Sequence, residues 1–191
     1  MIRFRPRPLL AHAARAARGA LPRAPLIVVV GAEPRRLALV LQRARCDARV
    51  VQNLRWPEGM ATSLRAGLAA VPRTAKAVLV MLVDQPHVDA ASIKRLLSAW
   101  RRRPGVPAAA RYDARVGVPA VLPRKNWRDL KALHGDQGAR ALLRSREALT
   151  LVDMPEAALD IDTPADVEKL RRATQPAVFV AQLTQPVAPL A

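Results

Sequence analysis

The stretch that most constrains this chain is Ala77 to Pro86, Ala-Val-Leu-Val-Met-Leu-Val-Asp-Gln-Pro. Its first seven residues are apolar without any polar alternation, and Val78, Val80 and Val83 are β-branched. Such a run suits a strand buried on both faces, as in a parallel sheet with a helix layer on each side. Pro86 cannot donate to a strand ladder, so the strand stops before it. The carboxylate of Asp84 is thereby left at the carboxyl end of a central strand, where open α/β sheets bind ligands. Leu26 to Val30 is a second continuous apolar run, closed by Gly31. Gly31 is the only glycine in its turn, which excludes a phosphate-cradling Gly-x-Gly-x-x-Gly loop at that point.

Helical periodicity fills the intervals. A helix is expected from Pro8 to Ala20, with Pro8 in its first turn and Leu10, Ala14, Ala17 and Leu21 as a narrow apolar face. Another runs from Pro34 to Arg43 with Leu37, Val40 and Leu41 inward, followed by a strand at Ala48–Val51. Pro57 and Gly59 end a polar loop that starts at Asn53. The helix after it reaches Ala70, with Met60, Leu64, Leu68 and Val71 along one side. Asp89 caps a helix from Ala90 to Arg102, whose Ile93, Leu96, Leu97 and Trp100 fall at i, i+3, i+4 and i+7. Strands are expected at Pro107–Arg111 and Val118–Leu122, around a turn at Asp113–Gly117. Helices at Trp127–Leu133 and Ala139–Arg146 flank a polar turn at His134–Gly138, and Leu149–Asp153 reads as an edge strand. Thr163-Pro164-Ala165-Asp166 is a capping box opening a last helix, to Arg172. Strands alternating with helices predict an α/β fold with a mostly parallel sheet. The domain spans 1–173, and 174–191 is a Pro-rich tail holding one β-prone run, Ala177–Leu183.

Composition narrows the function classes. With 191 residues and 51% hydrophobic content, the chain can bury a core as one domain. No apolar run has the length of a membrane span. Cys46 is the only cysteine, so neither a disulfide framework nor a thiolate metal site is available, and a reducing, cytoplasmic setting fits. Met1 to Ala32 contains no acid and resembles a transit peptide in composition, but Pro6, Pro8 and Pro22 break the amphipathic helix such a peptide needs. The net charge of +17 invites a nucleic-acid reading. Against it, aromatics make up only 3% and the longest basic run is Arg101-Arg102-Arg103. Small anionic substrates gain from the same field.

Two further places carry chemistry. Thr62 and Ser63 stand in the first turn of a helix free of bulky residues there, which suits either phosphate binding or ordinary capping. Asp160 and Asp162, two apart, point to one side of an extended chain, where they repel unless a cation or solvent intervenes.

Five motifs stand in order: Asn53-x-x-Trp56-x-Glu58-Gly59-Met60-x-x-Ser63-Leu64, Asp84-Gln85-Pro86, Gly117-x-Pro119, Gly135-Asp-Gln-Gly-Ala-Arg140 and Asp160-Ile-Asp-Thr-Pro-x-Asp166. Together they resemble the molybdenum cofactor cytidylyltransferases, which are MobA-like NTP transferases. The resemblance runs from Arg7 to Arg172. It implies a Rossmann-like three-layer sandwich of glycosyltransferase-A (nucleotide-diphospho-sugar transferase) type. It also implies transfer of CMP from CTP, or another NTP, to molybdopterin, with Mg²⁺ as cofactor and pyrophosphate as the leaving group. On this resemblance Asp84 would hold the metal, with Asp162 the opposing acid and Asp160 beside it. Gly59, Met60, Ser63, Gln85, Gly117, Gly135, Asp136 and Gln137 would shape the substrate side. Val118 stands where the family has a His. A molybdoenzyme or a chaperone is the implied protein partner.

The family's opening strand and Gly-rich triphosphate loop have no counterpart in this sequence. The expected sheet is therefore N-terminally incomplete, lacking a central strand, and Ala177–Leu183 is a candidate filler. Such a chain would be either an active cytidylyltransferase or a non-catalytic pterin- or nucleotide-binding relative, or a subunit completed by a partner. A cationic nucleic-acid binder is the remaining alternative.

Overall fold

The computed structural model describes residues 3–4, 7–144, 148–158 and 178–183. A short antiparallel pair, β1 (Arg3–Phe4) and β2 (Arg7–Pro8), leads into α1 (Leu9–Ala20). Then follow β3 (Leu26–Val30), α2 (Pro34–Arg43), β4 (Arg49–Gln52), α3 (Met60–Ala70) and β5 (Ala77–Met81). The second half adds α4 (Ala90–Arg102), the hairpin β6 (Ala108–Tyr112) and β7 (Arg115–Pro123), α5 (Trp127–Lys131), α6 (Ala139–Arg144), β8 (Thr150–Asp153) and β9 (Val178–Leu183). Asp160, Asp162 and the expected helix from Thr163 to Arg172 lie outside the described residues.

One sheet organises the chain, in the order β4-β3-β9-β5-β7-β6-β8. β3 pairs with β4, and β6 with β8, in parallel. β9 is antiparallel to both β3 and β5, and β7 is antiparallel to both β5 and β6. It follows that β4, β3, β5, β6 and β8 all run one way, with β9 and β7 against them. The sheet is thus mixed where the apolar runs alone suggest mostly parallel pairing. Burial on both faces gives a strand no polar alternation whichever way its neighbours run, so the pattern reports burial and not direction. The β-prone run in the Pro-rich tail does fill the central gap: β9 lies between the two most apolar strands.

Every residue of β3 and β5 is buried. Leu26, Val28, Val30, Leu79 and Met81 face a layer made by α1, α2 and α4. Ile27, Val29, Val78 and Val80 face the other layer, made by α3, α5 and α6. Helix α1 is buried more broadly than a narrow stripe: Leu9, Leu10, Ala11, Ala13, Ala14, Ala16 and Ala17 are all inside. Alanine makes this close packing feasible, since α1 packs against both α2 and α4. In α4, Ile93, Leu96, Leu97 and Trp100 are core as expected. Asp113 and Ala114, with φ of 46° and 55°, make the two-residue turn between β6 and β7. Positive φ at both central positions is what a tight hairpin requires. β7 therefore starts earlier than the sequence indicates.

Two predictions follow from the packing. Leu79 is fully buried in β5, so Leu79→Ala should cost about 2–5 kcal/mol of unfolding free energy, read by urea denaturation. The Asp89 carboxylate accepts from the Ser92 N–H at 2.8 Å and so caps α4. Asp89→Ala should lower the Tm by about 2–4 °C, equivalent to about 1 kcal/mol. The Ser92 N–H holds the Asp89 carboxyl below its ordinary value. The cap's contribution is therefore complete above the usual aspartate range and lost as pH falls through the lowered value. The Tm gap between the two proteins should close on acidification.

Candidate functional site

The carboxyl ends of β3, β4 and β5 form one rim of the sheet, and the loops leaving them build the site. Beyond β4, the Asn53 N–H bonds the Val30 carbonyl at 2.8 Å, which joins this loop to the end of β3. Trp56 packs on Gly31, where a Cβ would come within 2.4 Å of the indole Cγ. The Asn53 side chain is buried and donates to the Thr62 hydroxyl at 2.7 Å and the Ser63 hydroxyl at 3.0 Å. Thr62 Oγ1 in turn lies 2.9 Å from both the Arg55 and the Gly59 carbonyl oxygens. These two hydroxyls, offered above for phosphate or capping, thus serve an interior network that fixes the loop to the helix. The amides are engaged too: Ala61 N–H bonds the Gly135 carbonyl at 3.0 Å, and Thr62 N–H the Gly59 carbonyl at 3.2 Å. Glu58 pairs in bidentate fashion with Arg55 on the surface, and that guanidinium holds the Glu58 carboxyl below its usual range.

Gly59 starts α3 at φ 106°, and a Cβ there would lie 2.2 Å from the Gly135 carbonyl carbon. The start of α3 and the 134–138 turn are therefore in direct contact. That turn is closed by a reciprocal pair: Gln137 N–H to the His134 carbonyl, and His134 N–H to Gln137 Oε1, both at 3.1 Å. Gly135, Asp136 and Gln137 are exposed. A Cβ on Gly138 would meet the Met60 sulfur at 2.6 Å, which locks the turn against the helix a second time.

Between these parts lies a cavity of about 380 Å³. Met60 and Leu64 of α3 line one wall, and Val80 and Leu82, at and just past the end of β5, line the floor. Gly117 and Val118 of β7, with Tyr112 of β6, close a second side. Asp136 and Gln137 lie at the turn, and Arg140 and Arg144 of α6 supply the cations. Tyr112 lies over Gly117, where a Cβ would approach its hydroxyl to 2.6 Å. Asp84 is two residues past Leu82 and is partly exposed. Gln85 is buried, and its Nε2 donates to the carbonyls of Val118 and Ala157, each at 3.0 Å. It ties the loop after β5 to β7 and to the chain that leads towards Asp160. The Nε atom of Arg140 is buried and has no hydrogen-bond acceptor in the described protein.

Of the residues singled out in the sequence, Met60, Gly117, Asp136 and Gln137 line the cavity. Gly59 and Gly135 form the joint beside it, while Ser63 and Gln85 bond protein groups within its walls. Among the described residues no three His, Cys, Asp or Glu side chains gather as a metal site. Asp160 and Asp162 are not among them. Sequence reasoning missed Tyr112, Arg140 and Arg144 as lining residues; Arg140 stands within a quoted motif, whereas nothing in the sequence marks the other two. Gly59→Ala should cost about 1–3 kcal/mol, because it strains the joint between α3 and the turn. Gly105→Ala, where an added Cβ meets nothing within 4 Å, should stay within about 0.5 kcal/mol of the parent in the same denaturation assay.

Comparison with known proteins bears on the assignment. Residues 1–154 match the model of the MobA-like NTP transferase domain. The chain is 33% identical over 158 residues to nicotine blue oxidoreductase of Paenarthrobacter nicotinovorans, covering 76% of this chain and 74% of that one. Among solved structures, Rv0371c of Mycobacterium tuberculosis H37Rv in complex with manganese superposes with a TM-score of 0.67 at 28% identity. That match covers 91% of this chain and 90% of the other. A homologue of Rv0371c from Mycobacterium sp. strain JC1 gives 0.60 at 27% identity, covering 87% and 82%. These neighbours share the expected three-layer α/β nucleotidyltransferase architecture. The chain belongs to the MobA-like NTP transferase domain family.

Proposed function

We propose that this chain is a nucleotidyltransferase whose 380 Å³ cavity holds a planar, phosphate-bearing acceptor of the molybdopterin kind, with CTP as the nucleotide donor. The observation that carries the reading is the composition of the cavity, whose Leu82 stands two residues before Asp84. Met60, Leu64, Leu82 and Val118 offer apolar walls for a flat ring, while Arg140 and Arg144 offer cations for an anionic tail. An acceptor phosphate is already ionised, so it needs alignment and charge neutralisation more than proton transfer. The cationic side chains of α6 supply part of that neutralisation. Their effect is largest in a cavity that excludes water.

A divalent cation fits the donor chemistry at this rim. Asp84 carries hard carboxylate oxygens two residues past the cavity-lining Leu82, and its neighbour Gln85 bonds the carbonyl of Ala157, three residues before Asp160. Asp84, with Asp160 and Asp162, would hold Mg²⁺, and the ion would neutralise charge on the transferred phosphate. The manganese in the Rv0371c structure supports a divalent site in this family. A cytoplasmic place in molybdenum cofactor biosynthesis goes with this reading.

The relative named nicotine blue oxidoreductase supports a second reading, in which the same apolar cavity takes a molecule of the nicotine blue kind for oxidation or reduction. One assay separates the two. Purified protein with Mg²⁺ or Mn²⁺, CTP and molybdopterin should release pyrophosphate, and Asp84→Asn should cut the rate by about a hundredfold. Arg140→Ala should raise the KM for the phosphate-bearing acceptor by about tenfold, with a smaller effect on kcat. No pyrophosphate from any NTP, together with protein-dependent loss of nicotine blue absorbance in the presence of an added two-electron donor or acceptor, would overturn the first reading in favour of the second.

A further inference from the structure

The strand ladders of the main sheet have one unusual member. Without β9 the described sheet is two pieces: β4-β3 on one side and β5-β7-β6-β8 on the other. Each piece is made from elements close in sequence, β3 through α3 and β5 through β8. β9 alone comes from far along the chain, and its partners are all in the first half. It pairs Val178 with Val29, Phe179 with Val28, and Val180 with Ile27 on one edge. On the other edge it pairs Phe179 with Met81, Val180 with Val80, and Ala181 with Leu79. β3 and β5 run in the same direction and β9 runs against both. A local β-α-β crossover produces a parallel strand, whereas β9 enters the sheet antiparallel to both of its neighbours. Pairing across so long a sequence separation carries a larger loop-closure cost than the local ladders do.

The place of β9 between β3 and β5 also sets the geometry of the cavity. Val178 lies level with Val29, one residue before the end of β3, and Phe179 with Met81, the last residue of β5. The loops leaving β3 and β4 position Met60 and Leu64, and β5 with the residue after it supplies Val80 and Leu82. These walls come from the two pieces that β9 joins.

We propose that the groove between β3 and β5 is a strand-binding site for an extended apolar peptide, filled here by 178–183. Seating of that strand brings the two walls of the cavity into register. The proposal does not depend on which substrate the cavity takes. The strand is separable in principle, because its two partner strands present complete ladder edges to any peptide of matching alternation.

The test uses the full chain carrying Val180→Pro, which removes an N–H from a central strand, beside Val180→Thr, which keeps both the N–H and the β-branch. Amide hydrogen exchange is followed at Val28, Leu79 and Ala61. The Ala61 amide reports the joint between the walls through its bond to the Gly135 carbonyl. Val180→Pro should lose at least about tenfold protection at all three amides, and Val180→Thr should retain it. Adding a synthetic peptide of residues 176–185 to the Pro variant should restore protection in a saturable way; a scrambled peptide should not. If the Pro variant does not fold alone, the same peptide present during refolding should recover it. Unchanged protection in the Pro variant, or failure of the native peptide to restore either protection or folding, overturns the proposal.

Discussion

Everything in this molecule depends on satisfying the backbone of two strands that sit in its driest region. β3 and β5 are buried along their whole length. An unpaired amide or carbonyl there would cost as much as a lost hydrogen bond, repeated along the strand. β4 and β7 meet that demand on the outer edges, and β9 meets it on the inner ones. Because a strand can pair in either direction, a segment entering from the carboxyl rim solves the problem as well as a parallel one would. The helices then cover both faces, α1, α2 and α4 on one and α3, α5 and α6 on the other.

The site is a by-product of that arrangement. Strands that run the same way bring their carboxyl ends to one rim, and the loops leaving them converge there. The joint between Gly59 and Gly135 works because neither residue has a side chain to hold the backbones apart. Asn53, Thr62 and Ser63 spend their polar atoms on fixing the loop after β4. Their role is to hold Met60 and Leu64 in place, and the charged side chains that line the cavity are Asp136, Arg140 and Arg144.

Much of this was legible in the residues. The apolar runs gave β3 and β5, and the Asp89 cap with the Ile93, Leu96, Leu97 and Trp100 stripe gave α4 to the residue. The order of the glycine and acid motifs pointed to the family. Other features were not legible, for physical reasons. Strand direction leaves no mark on a run buried on both faces, so the antiparallel entry of β9 could not be read. The hairpin at Asp113-Ala114 uses an alanine at positive φ, a conformation held by the flanking ladder and not by local preference. That hairpin is what carries Tyr112 over Gly117, so its place in the cavity was hidden too. Thr62 and Ser63 looked like an open helix start because sequence spacing does not show that Asn53 reaches them from the loop before.

The claim that the rim around Asp84 is the working site is tested most directly by a paramagnetic ion. Mn²⁺ titrated into isotope-labelled protein should broaden the amide signals of Asp84 and Gln85 first, with those of Asp160 and Asp162 in the same step. The signals of α1 and α2 should be untouched. Broadening centred elsewhere, or broadening of Asp84 without Asp160 and Asp162, would contradict the account.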